Sequence, residues 1–191
     1  MKKYLAVTEF IDHDNPAIKN MAKELATGNS DDITVAKSCF EFVRDEIKHS
    51  SDFKINPVTI KASDVLLYGT GYCYAKSHLL AALLRANSIP AGLCYQRLTL
   101  EENNPVFCLH GLNAVHLKEF GWFRIDARGN KQGVNAGFNP PGEQLAFSTT
   151  ISGEANLPEV WSEPLPMIIK VLTECKTWQE VYDNLPNIEL Y

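Results

Sequence analysis

Gly69-Thr70-Gly71-Tyr72-Cys73-Tyr74-Ala75-Lys76-Ser77-His78-Leu79-Leu80-Ala81-Ala82-Leu83-Leu84-Arg85 is the stretch that decides the fold. Two glycines break the chain just before Cys73, and an Ala/Leu-rich run follows it. The pattern predicts a turn that delivers a cysteine to the first position of a helix reaching about Asn87. Ser88-Ile89-Pro90 stops that helix, because the residue before a proline is pushed out of the helical region. A thiol at a helix start faces unpaired N–H groups and the positive end of the dipole, which favours its thiolate. Glycines beside it allow close approach of a substrate. The Cys73 N–H can serve an oxyanion when a tetrahedral intermediate forms.

Downstream of the helix, residues 91–99, 109–118 and 121–127 read as three strands. His110, Leu112, Ala114 and His116 share one strand face, and Trp122, Arg124 and Asp126 share another. Direct pairing of His110 with Asp126 needs a three-residue turn at 117–119. It places their Cβ atoms about 5 Å apart on one side. The imidazole then donates to the carboxylate and offers its other nitrogen to the thiol, the arrangement of an activated nucleophile.

Upstream, residues 1–12 alternate like an edge strand. Asn15-Pro16 reads as N-cap and first turn of a helix to about Ala26. Asp31 or Asp32 opens a second helix, whose Ile33, Ala36, Phe40, Val43 and Ile47 fall on one face. Residues 49–62 read as loop, and Ser63-Asp64 as the start of a short helix through Leu67. Beyond 130, Asn139-Pro140-Pro141-Gly142 marks a long loop and 143–148 a strand. Thr177-Trp178-Gln179-Glu180 is a capping box opening a helix to about Leu185.

The chain has 191 residues, a net charge of −5 and five dispersed cysteines. That size predicts one domain over 1–191. The acidic balance argues against nucleic acid as a partner. No window is apolar for long enough to span a membrane. An odd number of cysteines without CxxC spacing points to a reducing cytoplasm rather than disulfides or zinc. No metal or cofactor is expected. Cys39, Cys94 and Cys108 read as packing residues, His78 as structural and His116 as solvent-facing.

Together, Gly71-Tyr72-Cys73 through Leu84, Ile89-Pro90-Ala91, His110, Gly121-Trp122 and Asp126 resemble the transglutaminase-like superfamily over about residues 35–130. That group holds transglutaminases, peptide N-glycanases and bacterial proteins of cysteine-protease type. The resemblance implies an α+β fold with a papain/transglutaminase-like core, in which the Cys73 helix packs on an antiparallel sheet. It implies a Cys73–His110–Asp126 triad, acyl transfer through a thioester, and a peptide, protein or small amide as substrate. Hydrolysis is the expected outcome. A protein-glutamine transglutaminase and a binding module that kept the fold but lost catalysis are the alternatives. Leu112 stands where many relatives carry an aromatic. No acidic cluster suggests calcium, and Glu101-Glu102 is the nearest acidic pair to the motifs. For oxyanion or substrate contact the candidates are Tyr72, Tyr68, His49 and Trp122, with Asn56 a further possibility by position.

Overall fold

A computed structural model describes residues 1–29, 31–100 and 106–189 of the chain. Glu101 and Glu102 lie outside the described residues. In chain order the elements are α1 (Pro16–Ala26), α2 (Asp32–Glu46), β1 (Lys48–His49), α3 (Ser50–Phe53), α4 (Ala62–Tyr68), β2 (Thr70–Gly71), α5 (Cys73–Ala86), β3 (Ala91–Thr99), β4 (Phe107–Leu117), β5 (Gly121–Ile125), β6 (Gly137–Asn139), β7 (Gly142–Gln144), β8 (Ala155–Asn156), α6 (Pro166–Glu174) and α7 (Trp178–Asp183). The architecture is α+β.

α5 is the centre of the molecule. Every residue from Cys73 to Arg85 is buried, the polar Lys76, Ser77, His78 and Arg85 included. One flank packs on β3 and β4, and the others on α1, α2 and α4. Leu79, Leu80, Leu83 and Leu84 are fully buried, each burial stabilising by about 1.5–3 kcal/mol. α1 and α2 start where side chains satisfy their first N–H groups. Asn15 Oδ1 accepts from Ala17 N–H at 2.9 Å, and Asp31 Oδ1 from Thr34 N–H at 2.8 Å. The inner face of α1 is Ile18 and Ala22. Of the face predicted for the second helix, Ala36, Phe40, Val43 and the following Ile47 are buried and Ile33 is half-buried, with Val35 and Cys39 buried beside them.

The main sheet is antiparallel, in the order β5-β4-β3-β8. Its register corrects one expectation. Leu117 pairs with Gly121 and Asn113 with Ile125, so the turn occupies 118–120 rather than 117–119. Phe120 N–H donates to Leu117 O, and Gly121 takes the left-handed conformation at φ +71°. A three-residue hairpin loop of this kind needs a residue of positive φ at its end, and Gly121 supplies it. His110 and Asp126 are therefore diagonal neighbours on one face, not direct partners.

The N-terminus also departs from expectation. Lys2–Leu5 is a 3-10 turn, not an edge strand. The outer edge of β3 is taken instead by β8 and by a bridge from Leu93 to Trp161. Arg85, buried at the far end of α5, ties these distant segments together. Its guanidinium donates to the carbonyls of Ala91, Ala6 and Ser162. Residues 49–62, read as loop, contain the short helix α3, and 143–148 contributes only the short β7, paired with β6.

Candidate active site

Cys73 is the first residue of α5, held there by a tight approach of Gly71. A Cβ on Gly71 would stand 3.1 Å from Ala75 Cβ and 3.2 Å from Thr59 Oγ1. β4 crosses the start of the helix equally closely. A Cβ on Gly111 would meet Tyr74 Cδ1 at 2.9 Å and Tyr74 Cα at 3.0 Å. Only glycine lets the strand come this near, and the Gly111 N–H donates to Cys73 Sγ at 3.4 Å. Tyr72 and Tyr74 splay to either side. Tyr72 OH donates to Trp178 O, and Tyr74 OH to Leu109 O.

On the next position of β4, His110 Nε2 donates to Asp126 Oδ2 at 2.8 Å. The Cys73 side chain, whose Sγ accepts from the adjacent Gly111 N–H, also favours the charged ring. With Nε2 engaged by the carboxylate, Nδ1 is the nitrogen left for the sulfur. Phe147 stands edge-on to the His110 ring, 5.1 Å between centroids. Burial works against a charged imidazole here. The Asp126 carboxylate, and after it the Cys73 side chain, outweigh it and push His110 up to about 10. Asp126 is wholly buried and fully bonded. Besides His110, it accepts from Ala146 N–H at 3.0 Å and Arg128 N–H at 3.1 Å. Burial alone would raise its carboxyl, but these partners hold it below the usual range. The Arg128 side chain does not pair with it. The guanidinium forks onto Asp52 at 2.7 and 3.0 Å.

His49 approaches Cys73 at the cysteine's backbone N–H. β1 pairs in parallel with β2, placing His49 beside Gly71. There its Nε2 accepts from Cys73 N–H at 3.2 Å. Its Nδ1 lies 3.2 Å from Ser51 Oγ and 4.0 Å from Asp52 Oδ2. Burial, then the Arg128 charge, keep His49 well below the usual imidazole range, so it is neutral with its proton on Nδ1. The N–H expected to receive an oxyanion is thus already engaged.

The other candidates separate. Tyr72 lines the cleft above Cys73. Tyr68 does not; it ends α4, about half exposed. Trp122 also lies elsewhere, packed edge-on against Tyr4 and His116. Asn56 accepts from Trp178 N–H at 2.7 Å and braces α7. His78 is buried, with Nδ1 at 2.7 Å from Ile60 O. Sequence reasoning passed over Lys76, one turn beyond Cys73. It is buried and donates to the carbonyls of Ile47 and Arg44 at the end of α2. Burial and the nearby Arg128 pull its ammonium down to about 7. A lysine close to Cys73 in a run rich in alanine and leucine was the available signal.

Cys73 and His110 open into a cleft of about 930 Å³. Its lining includes Trp178, Gln179 and Tyr182 of α7 and, from the segment after β7, Ala146, Phe147 and Ile151. Chemically, this is a thiol, an imidazole with its second nitrogen on a carboxylate, and a substrate-sized opening. Residues 19–127 match the sequence model of the Transglutaminase-like superfamily. The fold is similar to that of the "Putative Cysteine Protease from Cytophaga hutchinsonii", at 23% identity and a TM-score of 0.51, over 65% of this chain and 40% of that one. It is similar as well to the periplasmic domain of TgpA from Pseudomonas aeruginosa bound to ethylmercury. There the identity is 18% and the TM-score 0.49, over 65% of this chain and 46% of that one. The matched region spans less than half of either structure. No curated protein matches the chain in sequence.

Proposed function

Because the chain belongs to the transglutaminase-like superfamily, we propose that it is a cysteine-dependent acyl-transfer enzyme that hydrolyses an amide or peptide bond. The observation that carries this reading is the 2.8 Å bond from His110 Nε2 to Asp126, which leaves Nδ1 for Cys73, whose sulfur already accepts from the adjacent Gly111 N–H. Cys73 Sγ attacks the carbonyl carbon, its proton having passed to His110 Nδ1. Asp126 holds the imidazolium in place. As the tetrahedral intermediate collapses, His110 protonates the departing amine and a thioester remains on Cys73. Water then gives its proton to His110 and attacks the thioester, releasing the acid and the free thiol.

The oxyanion needs donors. The Cys73 N–H is one, once the substrate oxygen displaces His49 Nε2 as its acceptor. His49 becomes the second if its proton moves from Nδ1 to Nε2, with Ser51 and Asp52 at hand beside Nδ1. Tyr72 borders the substrate rather than the oxyanion, since its hydroxyl is committed to Trp178 O.

The test is an acyl-transfer assay with an activated ester such as p-nitrophenyl acetate, comparing wild type with Cys73→Ala. Wild type should release nitrophenol with a stoichiometric burst. Cys73→Ala should show none while keeping its circular dichroism and melting temperature. Equal release by both proteins would remove Cys73 from the chemistry.

A further inference from the structure

The cleft differs in character from one end to the other. Tyr72 reaches Trp178 at one end and Tyr74 reaches Leu109 at the other, so Cys73 lies between the two. At the Trp178 end, the Lys54 ammonium lies 5.9 Å from the Trp178 ring, and Arg128 and Lys131 line the same region. At the other end, Leu109 N–H donates to Pro186 O at 2.7 Å. The lining there is Leu98, Leu100, Cys108, Ile151 and Leu185.

Among the described lining residues, three cations face two carboxylates, Asp52 and Glu154. Both carboxylates are already engaged. Asp52 takes the Arg128 fork and the Lys131 ammonium, the latter at 2.7 Å. Glu154 belongs to the apolar end, where it accepts from the N–H groups of Thr99, Thr150 and Ile151. The cations keep donors in reserve. Lys131 is about half exposed and spends one of its three hydrogens on Asp52; Lys54 is exposed with no carboxylate in ion-pair range among the described residues. This cationic end stands out in a chain of net charge −5.

Resting on the acyl-transfer reading above, the geometry points to a substrate class: amides with an apolar acyl residue and a carboxylate on the departing amine. The direction follows from His110, which returns the proton to that amine. Its ring packs on Phe147, and the Arg128 guanidinium lies 5.5 Å from the same Phe147 centroid. An amine leaving over His110 therefore leaves on the Arg128 side, within reach of the cations. The carboxylate can be a terminal one or a side chain of Asp or Glu.

The experiment uses the full chain carrying Cys73→Ala, so that ligands bind without turnover. Three probes are titrated by calorimetry at low salt: N-acetyl-leucyl-alanine with a free carboxylate, N-acetyl-leucyl-aspartyl amide, and the neutral N-acetyl-leucyl-asparaginyl amide. At least one acidic probe should bind about tenfold more tightly than the neutral one, as expected for a hydrogen bond to a charged group. Which one does so identifies the source of the carboxylate. Adding Lys54→Ala and Lys131→Ala, both exposed, should abolish the advantage. Equal affinities, preference for the neutral probe, an advantage that survives the double substitution, or no binding at all overturns the proposal. Nitrophenyl ester turnover by wild type is scored separately. Turnover without acid preference refutes the substrate class alone; acid preference without turnover refutes the enzyme and leaves an anion-selective cleft.

Discussion

The Gly111 N–H points at the Cys73 sulfur from 3.4 Å, and the absence of a side chain at Gly111 is what brings β4 that close. The strand that carries His110 is set against the helix that carries Cys73 by a backbone-to-backbone fit at Tyr74.

Gly111→Ala should disturb both stability and reactivity. Its Cβ would meet Tyr74 at 2.9 and 3.0 Å, and overpacking of this kind costs about 1–3 kcal/mol. The strand must lift, carrying His110 away from Cys73. Thermal melting and the ester burst, measured together, check this. A variant with unchanged melting and unchanged burst would show that the fit at Tyr74 is not needed.

Cys73 should be the first of the five thiols to react with limiting iodoacetamide at mildly acidic pH. Cys39, Cys94 and Cys108 are buried, and burial pushes each of them up to about 12. Cys175 is more accessible but is also raised, by burial and then by Glu180 and Glu174. Peptide mass spectrometry after a brief exposure reads the order. First labelling at Cys175 would place the reactive thiol outside the cleft.

His49→Ala distinguishes a donor from a bystander. If His49 completes the oxyanion site, kcat should fall by roughly a hundredfold or more, as for loss of one such donor elsewhere, with little change in KM. If the ring merely occupies the Cys73 N–H, removing it frees that donor and the rate holds or rises.

Two buried bases should give opposing slopes of stability with pH. His110 is raised in the folded state. Its contribution is fully present below the unfolded value of 6.5 and is lost as pH climbs through about 10. Lys76 is lowered, so the unfolded chain holds its proton up to 10.5 while the folded site releases it near 7. Stability then rises with pH between those values. In Lys76→Met only the first slope remains, and stability should fall from pH 6.5 to 10. In Asp126→Asn the main support of the charged imidazole is gone, and stability should rise from 7 to 10.5. Denaturant titrations across that range measure both; parallel profiles for the two variants would contradict the assignment.

Hydrolysis and amine transfer share the thioester, so the acceptor decides between them. With millimolar primary amine added to an acyl substrate, free acid should remain the main product. Predominant amide would place the protein with the transferases.

Much of this arrangement was legible in the chain. The α2 face, the cap of α1 and the glycine turn before Cys73 are local patterns, and local physics enforces them. The pairing of His110 with Asp126 was legible as proximity but not as register. Strand alternation is blind to a shift of two residues, and the choice fell to Gly121, whose positive φ the turn requires. His49 was one position among several, because its contact with Cys73, 24 residues on, depends on the β1–β2 pairing. α6 was missed although Pro166 at its first turn and Ile168, Val171 and Leu172 on its inner face carry the usual signature. The Tyr68 and Trp122 candidacies rested on nearness in sequence, and both side chains turn to other neighbours.

The region that matches the superfamily, 19–127, is not a self-sufficient unit. Cut to those limits, the chain would keep Cys73, His110 and Asp126 yet lose the Ala146 N–H that binds the Asp126 carboxylate. It would also lose two of the three carbonyls that receive the buried Arg85, at Ala6 and Ser162. A buried cation stripped of its acceptors is strongly destabilising. Any minimal fragment or transplanted core must therefore carry both flanks with it: Cys73, His110 and Asp126 come from the middle of the chain, and the flanks decide whether that middle can stand.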